Sequence, residues 1–257
     1  MKNEEIETYM LHSRLPAFQK KVKLSFDIIN KALKEMKNPY ASISFGKDSI
    51  VLMHLLLQIA PDIDFVWSDR GLEAELPETY DYIEVIKSKY PINLTVIYPE
   101  MTMFEIYHKY GIPGIHRNAD KTIVTKKCMI EPFEKYAKEN QKDGYFQGVR
   151  ADESASRIKM AKSYGHLFFR KRDKMWVANP LLGWSGRDIW AYIVSRDIPY
   201  HPEYDRDLYK GSREKVRISN WSGVFNAHLG RVADLKFNHP ELYQKLVDEF
   251  PEVSTLG

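Results

Sequence analysis

The chain of 257 residues has one cysteine, Cys128. That scarcity excludes an intramolecular disulfide, and with it any zinc or iron–sulfur site assembled from several cysteines of this chain. No apolar run approaches the length that spans a bilayer, and the first residues, MKNEEIETYM, lack the charged-then-apolar pattern of a signal peptide. A cytoplasmic protein without membrane contact is the expectation. No repeat or low-complexity tract breaks the chain, and neither charge sign dominates, the formal net charge being +3. The 44% hydrophobic and 28% charged residues are those of a globular protein, long enough for one α/β domain with an appendage or for two small domains. The former is favoured.

Ser44-Phe45-Gly46-Lys47-Asp48-Ser49 is the stretch that organises the rest. Tyr40 to Ser44 carries the β-branched and small residues of a buried parallel strand, and Ile50 to Ile59 is apolar almost all round, as a buried helix is. A glycine between them lets the backbone approach an anion, toward which the free N–H groups of the first helical turn point. Lys47 adds a positive charge, and Ser49 is placed to cap the helix or touch an oxygen. This is no Walker A loop: that motif needs a glycine at position 41, which is Ala, and Lys47 is followed by Asp48. An acidic residue in a phosphate cradle repels the ligand unless a magnesium ion or a donor group intervenes, so Asp48 speaks about chemistry.

Further along, Leu15 to Met36 has apolar positions at helical spacing, ended by Asn38-Pro39, and reads as an amphipathic lead-in helix. Ile63 to Trp67 reads as a second strand. Asp69 and Gly71 then fall just past its carboxyl end, where open α/β sheets keep their ligand crevice. Pro77 opens a helix, Asn93 to Tyr98 is a third strand, and Met103 to Tyr110 a short helix stopped at Gly111. Residues 112–125 show little periodicity and read either as a mobile flap or as an ordered surface loop. Cys128 precedes a helix that carries Phe133 and Tyr136; it is either a sulfur carrier, as a persulfide, or a small buried hydrophobe.

Gly144 to Arg150 predicts a strand that delivers Gly148 and Arg150 to the same cleft. Arg157 follows one helical face on, giving two guanidiniums able to grip phosphate or sulfate oxygens in a fork. Leu167-Phe168-Phe169 and Met175 to Ala178 flank a charged turn in a hairpin pattern, and Ser185-Gly186-Arg187-Asp188 has the form of a capping box. Basic residues cluster at Arg170 to Lys174 and again at Arg206, Lys210, Arg213, Lys215 and Arg217. They fit either a polyanionic partner or solvated surface charge. Trp221 to Leu235 and His239 to Phe250 close the chain with two helical patterns.

SFGKDS resembles the PP-loop of the adenine-nucleotide α-hydrolase superfamily, the N-type ATP pyrophosphatases. Three further strings narrow the resemblance to the phosphoadenosine phosphosulfate (PAPS) reductase-like branch: Asp69-Arg70-Gly71 with Pro77-Glu78-Thr79, GVRADESASR, and the block from Ala178 to Asp207. In the first of these Arg70 stands where the family has threonine, which leaves its role open. The resemblance covers roughly residues 40 to 205. It implies a Rossmann-like, mostly parallel sheet flanked by helices, divided as a helical lead-in (1–38), the nucleotide-binding domain (39–205) and a basic, helical C-terminal extension (206–257). It further implies ATP bound through Ser44, Phe45, Gly46, Lys47, Asp48, Ser49, Asp69, Gly71 and Gly148, with Mg2+ on Asp48 and Asp69. Lys47, Asp48, Arg150 and Arg157 are then the catalytic candidates, for transfer of AMP to an oxyanion acceptor with release of pyrophosphate.

Among acceptors a nucleic acid is favoured, as in DNA phosphorothioation or tRNA thiolation, with sulfur from a donor protein such as a cysteine desulfurase. Oligomerisation is compatible with this reading. Sulfate adenylylation, or a relationship to PAPS reduction, is the alternative, although reduction calls for a tail cysteine or a cluster and this chain ends FPEVSTLG. A module that holds ATP without turning it over is the alternative of another class.

Overall fold

The computed structural model describes residues 1–205, 213–215, 218 and 231–256. Its helices are α1 (Asn3–Ser13), α2 (Pro16–Glu35), α3 (Lys47–Leu57), α4 (Pro77–Lys89), α5 (Met103–Tyr110), α6 (Lys121–Thr125), α7 (Glu131–Glu139), α8 (Ala155–Tyr164), α9 (Gly186–Ser195), α10 (Arg231–Asn238) and α11 (Pro240–Glu249). Its strands are β1 (Pro39–Ser42), β2 (Asp64–Ser68), β3 (Asn93–Ile97), β4 (Gly144–Phe146), β5 (Leu167–Arg170) and β6 (Met175–Ala178).

The strands form one sheet in the order β3-β2-β1-β4-β6-β5. β1 runs parallel to both β2 and β4, and β4 parallel to β6, while β5 closes the edge antiparallel to β6. This is a Rossmann-like α/β fold. From β1 the chain passes to β2 on one side, whereas β4 flanks β1 on the other. That reversal is a switch point in the strand order, and in open α/β sheets ligands bind outside the carboxyl ends of the strands at such a point, here those of β1 and β4. Tyr40 registers with Tyr145 and Ala41 with Phe146, so the turns after Ser42 and after Phe146 leave the sheet side by side.

Two compact units divide the chain. The first comprises Met1–Trp67, Glu78–Thr95 and Ala137–Arg217. Within it α3 buries Ile50, Val51, Leu52, Met53, Leu55 and Leu56, as its all-round apolar sequence requires. The α2 stripe of Phe18, Val22, Ile28, Ile29 and Ala32 is likewise buried. α1 was not foreseen, because only Tyr9 and Ser13 are buried on it and its polar run shows no apolar stripe. Glu4 and Glu5 in its first turn favour the helix through its dipole. The expected capping box at Ser185 is present: its Oγ accepts the Asp188 N–H at 3.2 Å, and the Ser185 N–H donates to the Asp188 carboxylate at 2.7 Å.

The second unit comprises Ser68–Pro77, Val96–Tyr136 and Ile218–Gly257. Its core gathers Met103, Ile106, Tyr107, Leu235, Leu246 and Phe250. Residues 112–120 form turns, as the ordered-loop reading expects, whereas 121–125, read as loop as well, are the helix α6. Asp120 accepts the N–H groups of Thr122 and Ile123 at 2.9 and 3.1 Å, which starts α6, and a single π-helical turn, Lys126–Ile130, follows. The buried Ile112 and Val124 are too sparse to show a period. The pattern from His239 to Phe250 is α11. That from Trp221 to Leu235 lies outside the described residues except for the start of α10. Among the described residues no helix is long and apolar enough to cross a membrane.

Candidate nucleotide site

β1 ends two residues before Ser44, and α3 begins at Lys47 with Gly46 as its extended cap residue. The turn is pinned from within. The Ser49 hydroxyl donates to the Gly46 carbonyl at 2.9 Å and accepts the Ser44 N–H at 3.2 Å. Phe45 takes a left-handed backbone, φ 55°, which costs a side-chain-bearing residue about 1 kcal/mol. Its ring is fully buried, edge-on to Trp67 at 5.6 Å and to Tyr82 at 6.4 Å, and burial of a phenylalanine outweighs that strain. Only the backbone of Phe45 is therefore available to an anion.

Lys47 and Asp48 sit in the first turn of α3. The Lys47 side chain is 2% exposed; its Nζ lies 3.3 Å from Asp48 Oδ2 and 5.5 Å from the centre of the Tyr204 ring. The Tyr204 hydroxyl accepts the Lys47 N–H at 3.0 Å. Sequence reasoning missed this tyrosine, although its signal was present as the last residue of Ile198-Pro199-Tyr200…Tyr204, a block in which aromatics were read as core.

The turn after β4 meets that of β1 directly. A Cβ added to Gly148 would stand 3.1 Å from the Asp48 carbonyl carbon and oxygen and from the Ser49 nitrogen, so only glycine lets the two turns approach this closely. Arg150, 4% exposed, sends Nε to within 2.5 Å of Asp48 Oδ1. Both atoms are buried and make no aligned hydrogen bond, so the contact is one of charge alone. Arg150 Nη1 also pairs with Asp152 at 2.9 Å, and Arg157, 36% exposed, pairs with Glu153. The serine that caps α8, Ser154, orients this second arginine by accepting its N–H at 3.3 Å. The structure thus brings Ser44 to Ser49, Gly148, Arg150 and Arg157 together in the first unit, with the guanidiniums already facing carboxylates.

Asp69 and Gly71 lie past the end of β2, in the second unit. Asp69 Oδ1 accepts the Gly71 N–H at 2.8 Å in a tight turn that Gly71 completes at φ 75°. Arg70, which replaces the family's threonine, donates from Nε to Glu75 at 2.7 Å. Burial opposes its charge, but Glu75 outweighs this and holds the guanidinium pKa above its ordinary value. The Asp69 turn borders a cavity of about 590 Å³ whose other described walls include Leu72, Met101, Phe104 and Leu246. Cys128 is 4% exposed in the same unit, and burial pushes its thiol pKa up despite Arg70 nearby. Of the downstream basic run, Arg213 is held by Asp205 at 2.6 Å and by Glu5 at 3.4 Å, while Arg206, Lys210 and Arg217 lie outside the described residues.

The donor set suits a nucleotide with magnesium. Asp48 sets a carboxylate in the first turn of α3, its Oδ1 at 2.5 Å from Arg150 Nε and its Oδ2 at 3.3 Å from Lys47 Nζ, so a cation and the phosphates it carries would share that carboxylate with the two side chains. Among the described residues no group of three or more His, Cys, Asp or Glu side chains is arranged to hold a metal ion. Magnesium characteristically takes one or two carboxylates and completes its shell with phosphate oxygens and water, so a single aspartate at a phosphate cradle fits it.

Comparison with known proteins gives the family and the fold. An uncharacterized protein of Methanocaldococcus jannaschii is 30% identical over 249 residues, covering 95% of this chain and 56% of that protein. A phosphoadenosine 5'-phosphosulfate reductase of Xylella fastidiosa is 32% identical over 175 residues, covering 66% of this chain and 68% of the reductase. The chain thus spans little more than half the length of the first relative. In fold it matches the crystal structure of the Candida auris PAPS reductase at a TM-score of 0.55 and 18% identity, covering 80% of this chain and 92% of the reductase chain. It also matches the U34-tRNA thiolase NcsA of Methanococcus maripaludis at a TM-score of 0.51 and 14% identity, covering 93% and 80%. The family described as the phosphoadenosine phosphosulfate reductase domain matches residues 38–245, and the chain belongs to that family.

Proposed function

We propose that this protein is an ATP pyrophosphatase that adenylylates an oxyanion acceptor for sulfur insertion, and that the acceptor is a nucleic acid. The observation that carries the reading is the convergence of Lys47, Asp48 and Arg150 on the N-terminal turn of α3, with Gly148 packed against it. A helix N-terminus with a buried lysine is built to receive the β- and γ-phosphates of ATP. The α-phosphorus is then left free for an acceptor.

In the reaction an acceptor oxygen forms a bond to the α-phosphorus as the bond to the bridging oxygen breaks. Pyrophosphate leaves with the electron pair of that bond, and AMP stays on the acceptor. A sulfur nucleophile then bonds to the acceptor atom as that atom's bond to the adenylylated oxygen breaks, and AMP leaves with that oxygen and the electron pair. Where the sulfur arrives as the persulfide of a donor protein such as a cysteine desulfurase, a thiol reductant cleaves the resulting S–S bond to free the donor. Lys47 and the α3 amides stabilise the negative charge that grows on the leaving pyrophosphate, where preorganised charge is most effective. Asp48 is the residue of this unit that would hold magnesium, and the ion would supply further neutralisation of the phosphates. Arg150 orients Asp48 through the 2.5 Å approach of its Nε to Oδ1. Arg157, more exposed and in the first turn of α8, would grip the γ-phosphate or the acceptor. Cys128, buried with a raised thiol pKa, is poorly suited to carry the sulfur, which favours a separate donor.

The test is release of pyrophosphate from α-labelled ATP with magnesium, alone and with sulfate, single-stranded DNA, duplex DNA or tRNA, with Lys47→Ala as the control. Release that depends on one nucleic acid supports the reading. Release that depends on sulfate favours the alternative that the reductase relatives suggest. ATP binding with no release from any acceptor points to a nucleotide-holding module instead.

A further inference from the structure

α8 is exceptional among the helices of the first unit in burying none of its residues. A helix so exposed gains little from the core, and its sequence shows what it presents instead. From Ile158 to Lys174 the chain carries Lys159, Lys162, Arg170, Lys171, Arg172 and Lys174 against one acid, Asp173. Arg170 engages that acid by donating from Nε to Oδ1 at 2.8 Å, and its Nη1 donates to the Tyr145 hydroxyl at 3.0 Å. Lys159, Lys162, Lys171, Arg172 and Lys174 are all exposed.

Aromatic and apolar surface is interleaved with this charge. Tyr164, at the end of α8, is 59% exposed, and its ring stacks on Phe168 of the edge strand β5 with centroids 4.8 Å apart and planes at 29°. That contact joins the helix to the strand. Ile158 adds a further 44% exposed apolar side chain. The surface is continuous with the nucleotide site, because α8, capped by Ser154, carries Arg157 in its first turn, and Arg157 and Arg150 both reach Glu153.

We infer that α8 and the 170–174 turn form the platform on which a single-stranded nucleic acid lies, its phosphates along the lysines and a base stacked on Tyr164. Charge complementarity selects the occupant: spaced cations with an exposed ring and no acid beyond the neutralised Asp173 match a strand of phosphates and bases. The inference rests on the nucleic-acid reading of the acceptor and names where that acceptor binds.

The test is fluorescence anisotropy of a labelled single-stranded oligonucleotide of about 12 nucleotides, as RNA and as DNA, at several salt concentrations. Three variants are compared with the unaltered protein: Lys159→Glu with Lys162→Glu, Tyr164→Ala, and the control Lys20→Glu with Lys23→Glu on α2, which makes the same charge change elsewhere. The α8 pair is expected to weaken binding at least tenfold and to lower the salt slope by about 1.4, the share of two phosphate contacts on a single strand. Tyr164→Ala is expected to weaken binding about tenfold with the slope unchanged. The α2 control stays near the unaltered protein. Equal loss in the α2 and α8 pairs, or no measurable binding by the unaltered protein, overturns the platform. Binding through α8 without any pyrophosphate release sinks the adenylyl-transfer reading and leaves the platform standing. Sulfate-dependent release without oligonucleotide binding does the reverse.

Discussion

Arg150 Nε stands 2.5 Å from Asp48 Oδ1, the first residue group arriving from the turn after β4 and the second from the first turn of α3. The pair ties together the two turns that leave the sheet at its switch point, and it explains how an aspartate persists in a cradle meant for phosphate. Lys47 on one side and Arg150 on the other hold its charge. Removing either cation leaves a buried carboxylate short of a partner, whereas removing the aspartate leaves two cations repelling each other.

Arg150→Met is therefore expected to destabilise the protein by roughly 3 kcal/mol, and adding Asp48→Asn to recover much of the loss. Urea denaturation of the two single variants and the double variant gives the coupling, expected at roughly 1–3 kcal/mol. A coupling near zero would mean that the 2.5 Å approach carries no net interaction.

Lys47→Ala should reduce pyrophosphate release by at least about a hundredfold, the usual consequence of losing one preorganised charge at a transition state. Circular dichroism confirms that the variant is folded. Near-normal turnover would remove Lys47 from the mechanism.

Gly148→Ala places a methyl group 3.1 Å from backbone atoms of Asp48 and Ser49, which cannot swing aside as a flexible side chain would. A cost of about 1–3 kcal/mol follows, together with loss of the thermal stabilisation that ATP and magnesium confer. Melting curves with and without the nucleotide separate the two effects.

Phe45→Gly sets two terms against each other. Relief of the left-handed backbone returns about 1 kcal/mol, while deletion of a fully buried ring costs about 3–5 kcal/mol. The variant should be net destabilised by about 2–4 kcal/mol in urea unfolding, even though glycine is the easier residue for that conformation.

Acid stability should depend on Asp188. Burial alone would raise its pKa, but the hydrogen bonds from Lys21, the Ser185 backbone and His12 outweigh it and hold the carboxyl at about 2, against 3.8 in the unfolded chain. A depressed folded pKa means that the contribution is complete above about pH 4 and is lost as the pH falls toward 2. Its size is roughly 2 kcal/mol. In Asp188→Asn the stability between pH 5 and pH 2 should decline less steeply than in the unaltered protein; parallel curves would show that another carboxylate sets the acid limit.

Much of this was legible along the chain. α3 declared itself because a helix buried all round needs apolar residues all round, and the hairpin of β5 and β6 because a short charged turn separates two β-rich runs. The capping box at Ser185 was equally plain. α1 and α6 were not: the first has too few buried side chains to show a stripe, and the second is fixed by one capping aspartate and a handful of anchors distant in sequence.

The site divides along the same line. The sequence by itself determined that Ser44 to Ser49 would form a strand-to-helix turn, and that Gly148, Arg150 and Arg157 would follow a strand, since local pattern and backbone freedom settle such matters within a few residues. Only the tertiary structure decided that Arg150 would spend its charge on Asp48, that Tyr204 would meet the Lys47 amide, and that Cys128 would be buried with its thiol held protonated. These depend on which strands lie adjacent and on what is excluded from water, and both arise from packing between segments far apart in the chain.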